Sequence, residues 1–263
     1  MSLSQHIMPR KRFGQHFLED DSVLMNMHTA IHPNPEDHMV EIGPGRAALT
    51  QYLVSEVGDF EAVEIDRDLI LPLRHLFAEH SHFKLHQVDA LSFDFRSLVK
   101  DEKKLRIVGN LPYNISTPLL FHLFDQLDVI QDMHFLLQKE VVDRLCAERN
   151  DSNYGRLSVM AQYFCSNLNL FEVGPEAFNP PPKVDSAFIR MVPHATPPYP
   201  AKNWDTLSLI VRTAFNLRRK TLGNSLKQLV PAAELEKIGI DPQRRPQELS
   251  VEEFVKISNH KTL

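Results

Sequence analysis

The sequence of 263 residues predicts an α/β fold, in which a mostly parallel β-sheet is covered by helices and a small α-helical domain follows. Between residues 38 and 137, short apolar segments typical of buried strands alternate with segments of helical period, as they do in βαβ units. Beyond residue 200 only helical patterns remain. Hydrophobic residues form 43% of the chain, which suffices for one larger core and one smaller one.

The predicted elements follow one another in a regular order. A first helix begins after a capping aspartate, Asp20 or Asp21, and its apolar stripe is Val23, Leu24, Met27, Ala30 and Ile31. Strands are then expected at His38–Gly43, Phe60–Ile65, Phe83–Val88, Leu105–Gly109 and Met133–Leu137. The helices between them are expected at Ala47–Val57, Leu69–Ala78 and Thr117–Asp125.

The pattern changes after residue 166. Leu168–Val173 and Ala187–Val192 are strand-like with no helix between them, which predicts an antiparallel hairpin at the edge of the sheet. The segment Pro193–Pro200 contains four prolines and is typical of a linker. We therefore expect a larger domain over residues 1–194 and a helical domain over residues 195–263, with helices at Trp204–Leu229 and Leu249–Ile257.

Several classes of protein are disfavoured by composition. No apolar run approaches the roughly 20 residues that span a bilayer, and Met1–Gln15 lacks the apolar core of a signal peptide. Cys146 and Cys165 are too few and too poorly spaced for a disulfide framework or a zinc site. We expect a cytoplasmic protein with reduced thiols, no metal and no membrane partner.

The formal net charge of -5 is unevenly distributed. Residues 195–263 carry 11 lysines and arginines against 7 aspartates and glutamates, and the rest of the chain carries 18 against 27. Because phosphate binding depends on local basic patches, the acidic total does not exclude a nucleic-acid partner.

A glycine turn and two carboxylates predict a nucleoside site. Gly43 and Gly45 follow a strand, where they permit a tight turn and close approach of a ligand to the backbone. Glu64 ends the next strand, where a carboxylate can accept both ribose hydroxyls, and Asp89 ends the third, where it can meet an adenine edge. NAD is the obvious alternative, but Ala48 stands where the dinucleotide pattern has its third glycine.

The segment Asn110-Leu111-Pro112-Tyr113, at the end of the fourth strand, indicates the reaction. An adenine amine is a poor nucleophile because its lone pair is delocalised into the ring. The Asn110 side-chain oxygen and a backbone carbonyl of Leu111 or Pro112 can accept its two N–H groups and so draw the lone pair out of conjugation. Pro112 fixes the turn, and Tyr113 offers a stacking face for an unpaired base.

A proline-rich loop supplies a second candidate aromatic. Phe178 precedes the stretch Asn179–Ser186, which leads into the last strand. Phe178 is a candidate for the second stacking face, although an aromatic before prolines more often serves packing.

Together, these motifs resemble the ribosomal RNA adenine dimethyltransferase family, and within it the bacterial enzymes of the small subunit. The resemblance spans nearly the whole chain and rests on the segments Arg12–Leu18, Glu41–Thr50, Val63–Asp66, Gly109–Pro118, Tyr154–Ser158, Pro180–Ser186 and Ala214–Leu222. It implies a Rossmann-like methyltransferase domain. The implied reaction transfers methyl groups from S-adenosylmethionine to N6 of two adjacent adenines near the 3′ end of 16S rRNA, in a small-subunit precursor.

The resemblance also implies roles for individual residues. His16 and Leu18 match an N-terminal segment that folds over the cofactor, and His16 stands where asparagine is also expected, so its contact is expected through the backbone. The implied cofactor contacts are Gly43, Glu64, Asp89 and Asn110. The implied target-base positions are Asn110, Leu111, Pro112, Tyr113 and Phe178.

Basic residues near the C-terminus are candidates for RNA contact. The tract Arg218-Arg219-Lys220 and the pair Arg244-Arg245 fall where the family meets RNA, although a solvated helix face is the simpler interpretation. On a continuous helix, Arg212 and Arg219 share a face, as do Lys220 and Lys227.

Two alternatives to the implied function stay open. The first is the antibiotic-resistance methyltransferase of 23S rRNA, which shares the fold and the site, although the Phe13–Leu18 and Tyr154–Ser158 segments favour the small-subunit enzyme. The second is a non-catalytic assembly or transcription factor, against which the intact Asn110–Tyr113 motif argues. We expect the protein to be a monomer.

Overall fold

The computed structural model describes residues 15–261. Outside the described residues lie Arg12, Phe13 and Gly14 of the N-terminal motif, and with them the whole of the segment Met1–Gln15 except Gln15. The strands are β1 Phe17–Leu18, β2 His38–Ile42, β3 Asp59–Glu64, β4 Phe83–Gln87, β5 Leu105–Asn110, β6 Ile130–Gln138, β7 Cys165–Val173, β8 Phe178–Asn179 and β9 Ser186–Pro193. The helices are α1 Asp21–Ile31, α2 Thr50–Leu53, α3 Arg67–Leu76, α4 Ser116–Phe124, α5 Lys139–Cys146, α6 Arg156–Phe164, α7 Trp204–Asn216, α8 Leu222–Ser225, α9 Ala232–Lys237 and α10 Val251–His260.

Seven of these strands form one sheet in the order β4-β3-β2-β5-β6-β9-β7. The ladders β4–β3, β3–β2, β2–β5 and β5–β6 are parallel, and β9 runs antiparallel to β6. The predicted α/β class, with an antiparallel strand next to a mostly parallel sheet and a helical C-terminal part, is confirmed. Separately, β1 pairs with β8 in a two-stranded antiparallel ladder.

The parallel register brings polar side chains to one edge of the sheet. Glu64, the last residue of β3, pairs with Gln87 at the end of β4, and Asn110 ends β5. Gly43 directly follows β2, and Asp89 lies two residues after the end of β4. Because parallel strands share their carboxyl edge, these residues come together although they are far apart in sequence.

The C-terminal end of helix α1 is fixed near the opposite edge of the sheet, at the start of β5. The predicted cap at the N-terminal end of the helix is confirmed, since the Asp20 side chain accepts the N–H groups of Ser22 and Val23. At its other end, Arg106 of β5 donates to the carbonyl of Ile31 at 2.7 Å. The same buried guanidinium donates two hydrogen bonds of 3.0 Å to the Asp132 carboxylate of β6. This ion pair compensates the loss of hydration of the buried arginine charge.

Two predicted helices are shorter than the sequence pattern indicates. The helix expected at Ala47–Val57 is only α2, Thr50–Leu53, because Ala47 adopts a left-handed φ of 67° and cannot lie inside a right-handed helix. The helix expected at Trp204–Leu229 ends at Asn216 and resumes as α8. Continued helix would place Arg218 on the face that buries Leu207, Val211 and Ala214, so the chain turns and leaves Arg218 exposed.

The chain divides into two compact units. One holds the described residues up to Val142 together with Leu168–Pro193, and the other holds Asp143–Asn167 with the described residues from His194 onward. The chain passes between the units three times, and the last junction, between Pro193 and His194, lies next to the expected boundary at residue 194. No helix is predicted from the sequence between residues 138 and 167, yet α5 and α6 lie there, and most of this segment belongs to the second unit.

Candidate functional site

A cavity of about 170 Å³ lies at the carboxyl edge of the parallel strands. Its wall brings together ten of the predicted site residues: His16, Leu18, Gly43, Gly45, Glu64, Asp89, Asn110, Leu111, Pro112 and Tyr113. The residues therefore meet from four strand ends and from the segment that contains β1. Phe178 is not among the lining residues.

The glycine turn adopts a backbone that side chains disfavour. Gly43 and Gly45 have φ values of +69° and +56°, in the left-handed region where glycine carries no steric cost. A Cβ on Gly45 would lie 3.1 Å from the Phe17 ring, so β1 packs directly against the turn. Across that ring, the Arg46 guanidinium lies 4.3 Å from the centroid and pairs with Glu19 at 2.9 Å. The turn and the N-terminal strand thus form one wall.

Glu64 places a buried carboxylate at the centre of this wall. Only 5% of the residue is exposed, and its two oxygens accept N–H groups from Asp66 at 2.8 Å and Gly45 at 3.3 Å. Burial raises the pKa of Glu64, and the two backbone hydrogen bonds oppose that rise. An acceptor held this way, in a region poor in water, suits a diol ligand.

Glu41 is a second buried carboxyl of the cavity that was not singled out from the sequence. It lies on β2 and lines the cavity, and the Thr50 hydroxyl donates to its Oε2 at 2.6 Å. Burial, opposed by the Thr50 hydrogen bond, raises the pKa of Glu41 to about 7. The signal was a single carboxylate inside the otherwise apolar strand Met39–Ile42, two residues before the first glycine.

Asp89 is half-buried in the turn after β4. Its Oδ1 accepts the backbone N–H of Leu91 at 2.9 Å, which fixes the carboxylate at the cavity wall. Gln15 and Phe17 also line the cavity and were not named from the sequence, although both belong to the N-terminal motif.

Asn110 has a defined amide orientation. Its Nδ2 donates to the backbone carbonyl of His16 at 3.1 Å. Since a carbonyl can only accept, the nitrogen must face His16, and the side-chain oxygen is left for another donor. The Pro112 carbonyl already accepts the N–H of Ile115 at 3.2 Å, which favours the Leu111 carbonyl as the second acceptor of the pair.

The two predicted stacking aromatics have different environments. Tyr113 lines the cavity, and its hydroxyl forms a 2.7 Å hydrogen bond with the Ser186 hydroxyl. Phe178 pairs with Leu18 across the β1–β8 ladder, is 4% exposed, and packs into the hydrophobic core. The stacking role of Phe178 stays a prediction.

The basic residues of the second unit are not all alike. Arg212 lies exposed on α7, whereas Arg218, Arg219 and Lys220 are exposed in the turn after this helix. Because α7 ends at Asn216, no continuous helix joins Arg212 to Arg219 or Lys220 to Lys227. The prediction that each of these pairs shares one helix face is therefore wrong. Arg218 donates to the carbonyl of Ser152.

Arg244 and Arg245 also differ from each other. Arg244 donates to both carboxylate oxygens of Glu253, at 3.0 Å for Nη2, and to the carbonyl of Glu248, so its guanidinium already has internal acceptors. Arg245 and Lys227 are exposed. Among these candidates, Arg244 has the clearest structural role.

Residues 15–261 contain neither a candidate metal cluster nor a helix able to span a membrane. Within that range, no cluster of histidine, cysteine, aspartate and glutamate side chains is arranged to hold a metal ion. No described helix combines the length and apolar character that crossing a bilayer requires.

Nearly the whole chain is similar to known proteins of one family. A family model described as ribosomal RNA adenine dimethylase matches residues 8–263. The chain is 58% identical over 250 residues to the ribosomal RNA small subunit methyltransferase A of Coxiella burnetii, which covers 95% of this chain and 96% of that protein. It is 52% identical over 257 residues to the protein of the same name from Pseudomonas aeruginosa, covering 98% and 96%.

Solved structures agree on the fold. The dimethyladenosine transferase from Plasmodium falciparum is similar with a TM-score of 0.78 at 26% identity, covering 92% of this chain and 96% of that chain. The 23S rRNA methyltransferase ErmE has a TM-score of 0.70 at 22% identity, covering 93% and 99%, and shares the fold.

The buried carboxyl of Glu41 predicts a pH dependence of stability. The pKa of Glu41 is raised from 4.5 to about 7, so the folded state retains a proton that the unfolded chain releases in this window. This group's contribution to stability is therefore full below pH 4.5 and is lost as pH rises through 7. Relative to the parent, Glu41→Gln should gain about 2 kcal/mol of unfolding free energy between pH 5 and pH 8.

Urea denaturation at both pH values measures this difference. Glu36→Gln, which changes an exposed carboxyl, is the matched control and should follow the parent. A Glu41→Gln protein whose difference from the parent is the same at pH 5 and pH 8 would contradict the assignment.

Proposed function

This chain belongs to the ribosomal RNA adenine dimethylase family and is a methyltransferase, and we propose that it dimethylates N6 of two adjacent adenines near the 3′ end of 16S rRNA. The observation that carries the proposal is the oriented amide of Asn110, which leaves its oxygen for the target amine at the wall of the cavity.

The residues of the cavity fit S-adenosylmethionine as the methyl donor. The buried Glu64 carboxylate is the acceptor for the ribose hydroxyls, Asp89 is suited to the adenine edge, and Gly43 and Gly45 let the ligand approach the backbone. His16 and Leu18 close the same wall from the N-terminal side. The bound donor supplies a methyl group on a positively charged sulfur, which is a good leaving group.

Asn110 and Leu111 prepare the nucleophile. In the proposed complex for the first methylation, the Asn110 oxygen and the Leu111 carbonyl would each accept one N–H of the adenine amine; in the second, the one remaining N–H can meet only one of them. These two bonds hold the amine pyramidal, so that its lone pair leaves the ring system and is directed at the methyl group. Positioning then supplies most of the rate enhancement, and the proton displaced from the methylated amine would pass to solvent, so no dedicated general base is required.

Tyr113 holds the target base. Its ring lines the cavity, and its hydroxyl bond to Ser186 anchors the far end of the side chain. Stacking on an aromatic ring is worth about 1–3 kcal/mol per base, which helps to offset the cost of extruding an adenine. A second stacking role for Phe178 requires that its ring leave the core.

The choice of RNA rests on the relatives. Proteins 52% and 58% identical to this chain are named small-subunit methyltransferases, whereas the 23S rRNA enzyme at 22% identity shares only the fold. The intact Asn110–Tyr113 segment argues against a purely non-catalytic factor. We include in the proposal a small-subunit precursor as substrate, action in the cytoplasm and a monomeric enzyme.

The second unit is the proposed RNA contact. Arg219 and Lys220 are adjacent and exposed in the turn after α7, with Arg212, Arg218, Lys227 and Arg245 as further exposed cations. Arg244 is a weaker candidate because Glu253 already neutralises it. Exposed cations without such a partner are the ones that phosphate groups can recruit.

Asn110→Ala should lower methyl incorporation into undermethylated small subunits by about 100-fold or more, because the amine loses an acceptor that both activates and orients it. Affinity for the small subunit should stay as in the parent. Near-parental turnover by a folded Asn110→Ala protein would refute the proposed role of the amide.

Arg219→Glu and Lys220→Glu should each weaken binding to the small subunit and reduce the slope of log affinity against log salt by about one unit. Filter binding across a salt series measures both. Lys104→Glu is the matched control, because this exposed lysine precedes β5 at the edge of the sheet opposite the cavity. Parental affinity and slope in both variants would leave this turn as a solvated surface only.

A further inference from the structure

We propose that His16 is a positioning residue for the target adenine, which acts through Asn110 and Tyr113; this rests on the proposed function. Three separate contacts of this one residue carry the inference. One is made by its backbone carbonyl, one by a ring nitrogen and one by the face of the ring.

The backbone carbonyl of His16 sets the orientation of the catalytic amide. Asn110 Nδ2 donates to it at 3.1 Å. If His16 moved away, the amide would lose the acceptor that distinguishes its nitrogen from its oxygen, and it could turn by half a rotation. An amide turned in that way would present N–H groups to the adenine amine, which cannot be activated by donors.

The imidazole holds that carbonyl in place. His16 Nδ1 lies 2.7 Å from the backbone carbonyl of Pro180, in the loop after β8. Since a carbonyl only accepts, Nδ1 carries the hydrogen of this bond. The side chain therefore ties the residue that orients Asn110 to the loop that continues the partner strand β8.

The ring face of His16 meets the predicted stacking platform. The His16 and Tyr113 rings stack with centroids 5.6 Å apart and an interplanar angle of 26°. Ser186 anchors the far end of Tyr113 through its hydroxyl, and the stacked imidazole covers one face of the ring. An incoming base is therefore directed to the other face of the Tyr113 ring. His16 thus sets both the orientation of the Asn110 amide and the ring face that is left for stacking.

The fold of the segment next to His16 has supports besides the His16 side chain. Phe17 and Leu18 pair with Asn179 and Phe178, and the Glu19 N–H donates to the Ala177 carbonyl at 2.9 Å. Variants at position 16 are therefore expected to fold, and thermal unfolding verifies it.

The experiment compares His16→Ala, His16→Asn and His16→Phe in methyl transfer to undermethylated small subunits, with calorimetric titration of S-adenosylmethionine. His16→Ala should lower kcat by about tenfold, as expected for a lost hydrogen bond that holds a reacting group, while cofactor affinity changes by less than about twofold. His16→Asn, which keeps an N–H donor, should recover most of kcat, and His16→Phe should not. His28→Ala, which removes a histidine bonded to Glu56 outside the cavity wall, is the control.

A second comparison separates positioning from a general structural effect. Asn110→Asp keeps acceptor oxygens but cannot donate to His16. In that background the part of the His16→Ala effect that acts through Asn110 should vanish, so the combined loss of kcat should be clearly smaller than the product of the two single losses.

Parental kcat in His16→Ala, a loss seen only in cofactor affinity, recovery by phenylalanine rather than asparagine, or a full additional loss in the Asn110→Asp background would each overturn the inference. A parent protein without methyl transfer would instead contradict the proposed function, and this inference with it.

Discussion

A buried carboxylate at the end of a parallel strand is the constraint on which the site depends. Glu64 is removed from water, and burial of a charge is costly unless hydrogen bonds replace the lost solvent. The replacement comes from the N–H groups of Gly45 and Asp66, one on each side of the strand end. For the Gly45 N–H to point there, the turn must be left-handed, and a glycine is needed both for that φ and for the Phe17 ring beside it. The turn, the N-terminal strand and the cavity wall therefore follow from one desolvated group.

Much of this could be predicted from the sequence, because the relevant signals are local. Successive apolar strands end in or are followed by a glycine, a glutamate, an aspartate and an asparagine. Because parallel strands share their carboxyl edge, this pattern predicts that the four residues meet there. Asp20 could be predicted as a helix cap from its place before an apolar stripe.

Other features depend on contacts between residues distant in sequence. Nothing local indicates that Ala47 takes a left-handed φ, or that Arg218 would fall on the buried face of a continued α7. Arg244 cannot be separated from Arg245 by sequence, since only the folded chain brings Glu253 to one of them. Glu41 is similar, because the pKa of a carboxyl near 7 depends on its burial and on Thr50, neither of which a strand pattern reveals. Tertiary context decides such positions.

The most direct test of the central claim is calorimetric titration of S-adenosylmethionine into the parent, Glu64→Gln and Glu61→Gln. Glu61 lies on the same strand and is equally buried, but it binds His38 and His86 and does not line the cavity. Hydrogen bonds to charged groups contribute about 1.5–3 kcal/mol, so Glu64→Gln should bind at least about tenfold more weakly than the parent, while folded Glu61→Gln should bind like it. Unchanged affinity in a folded Glu64→Gln protein would contradict the claim that this carboxylate organises the cofactor site.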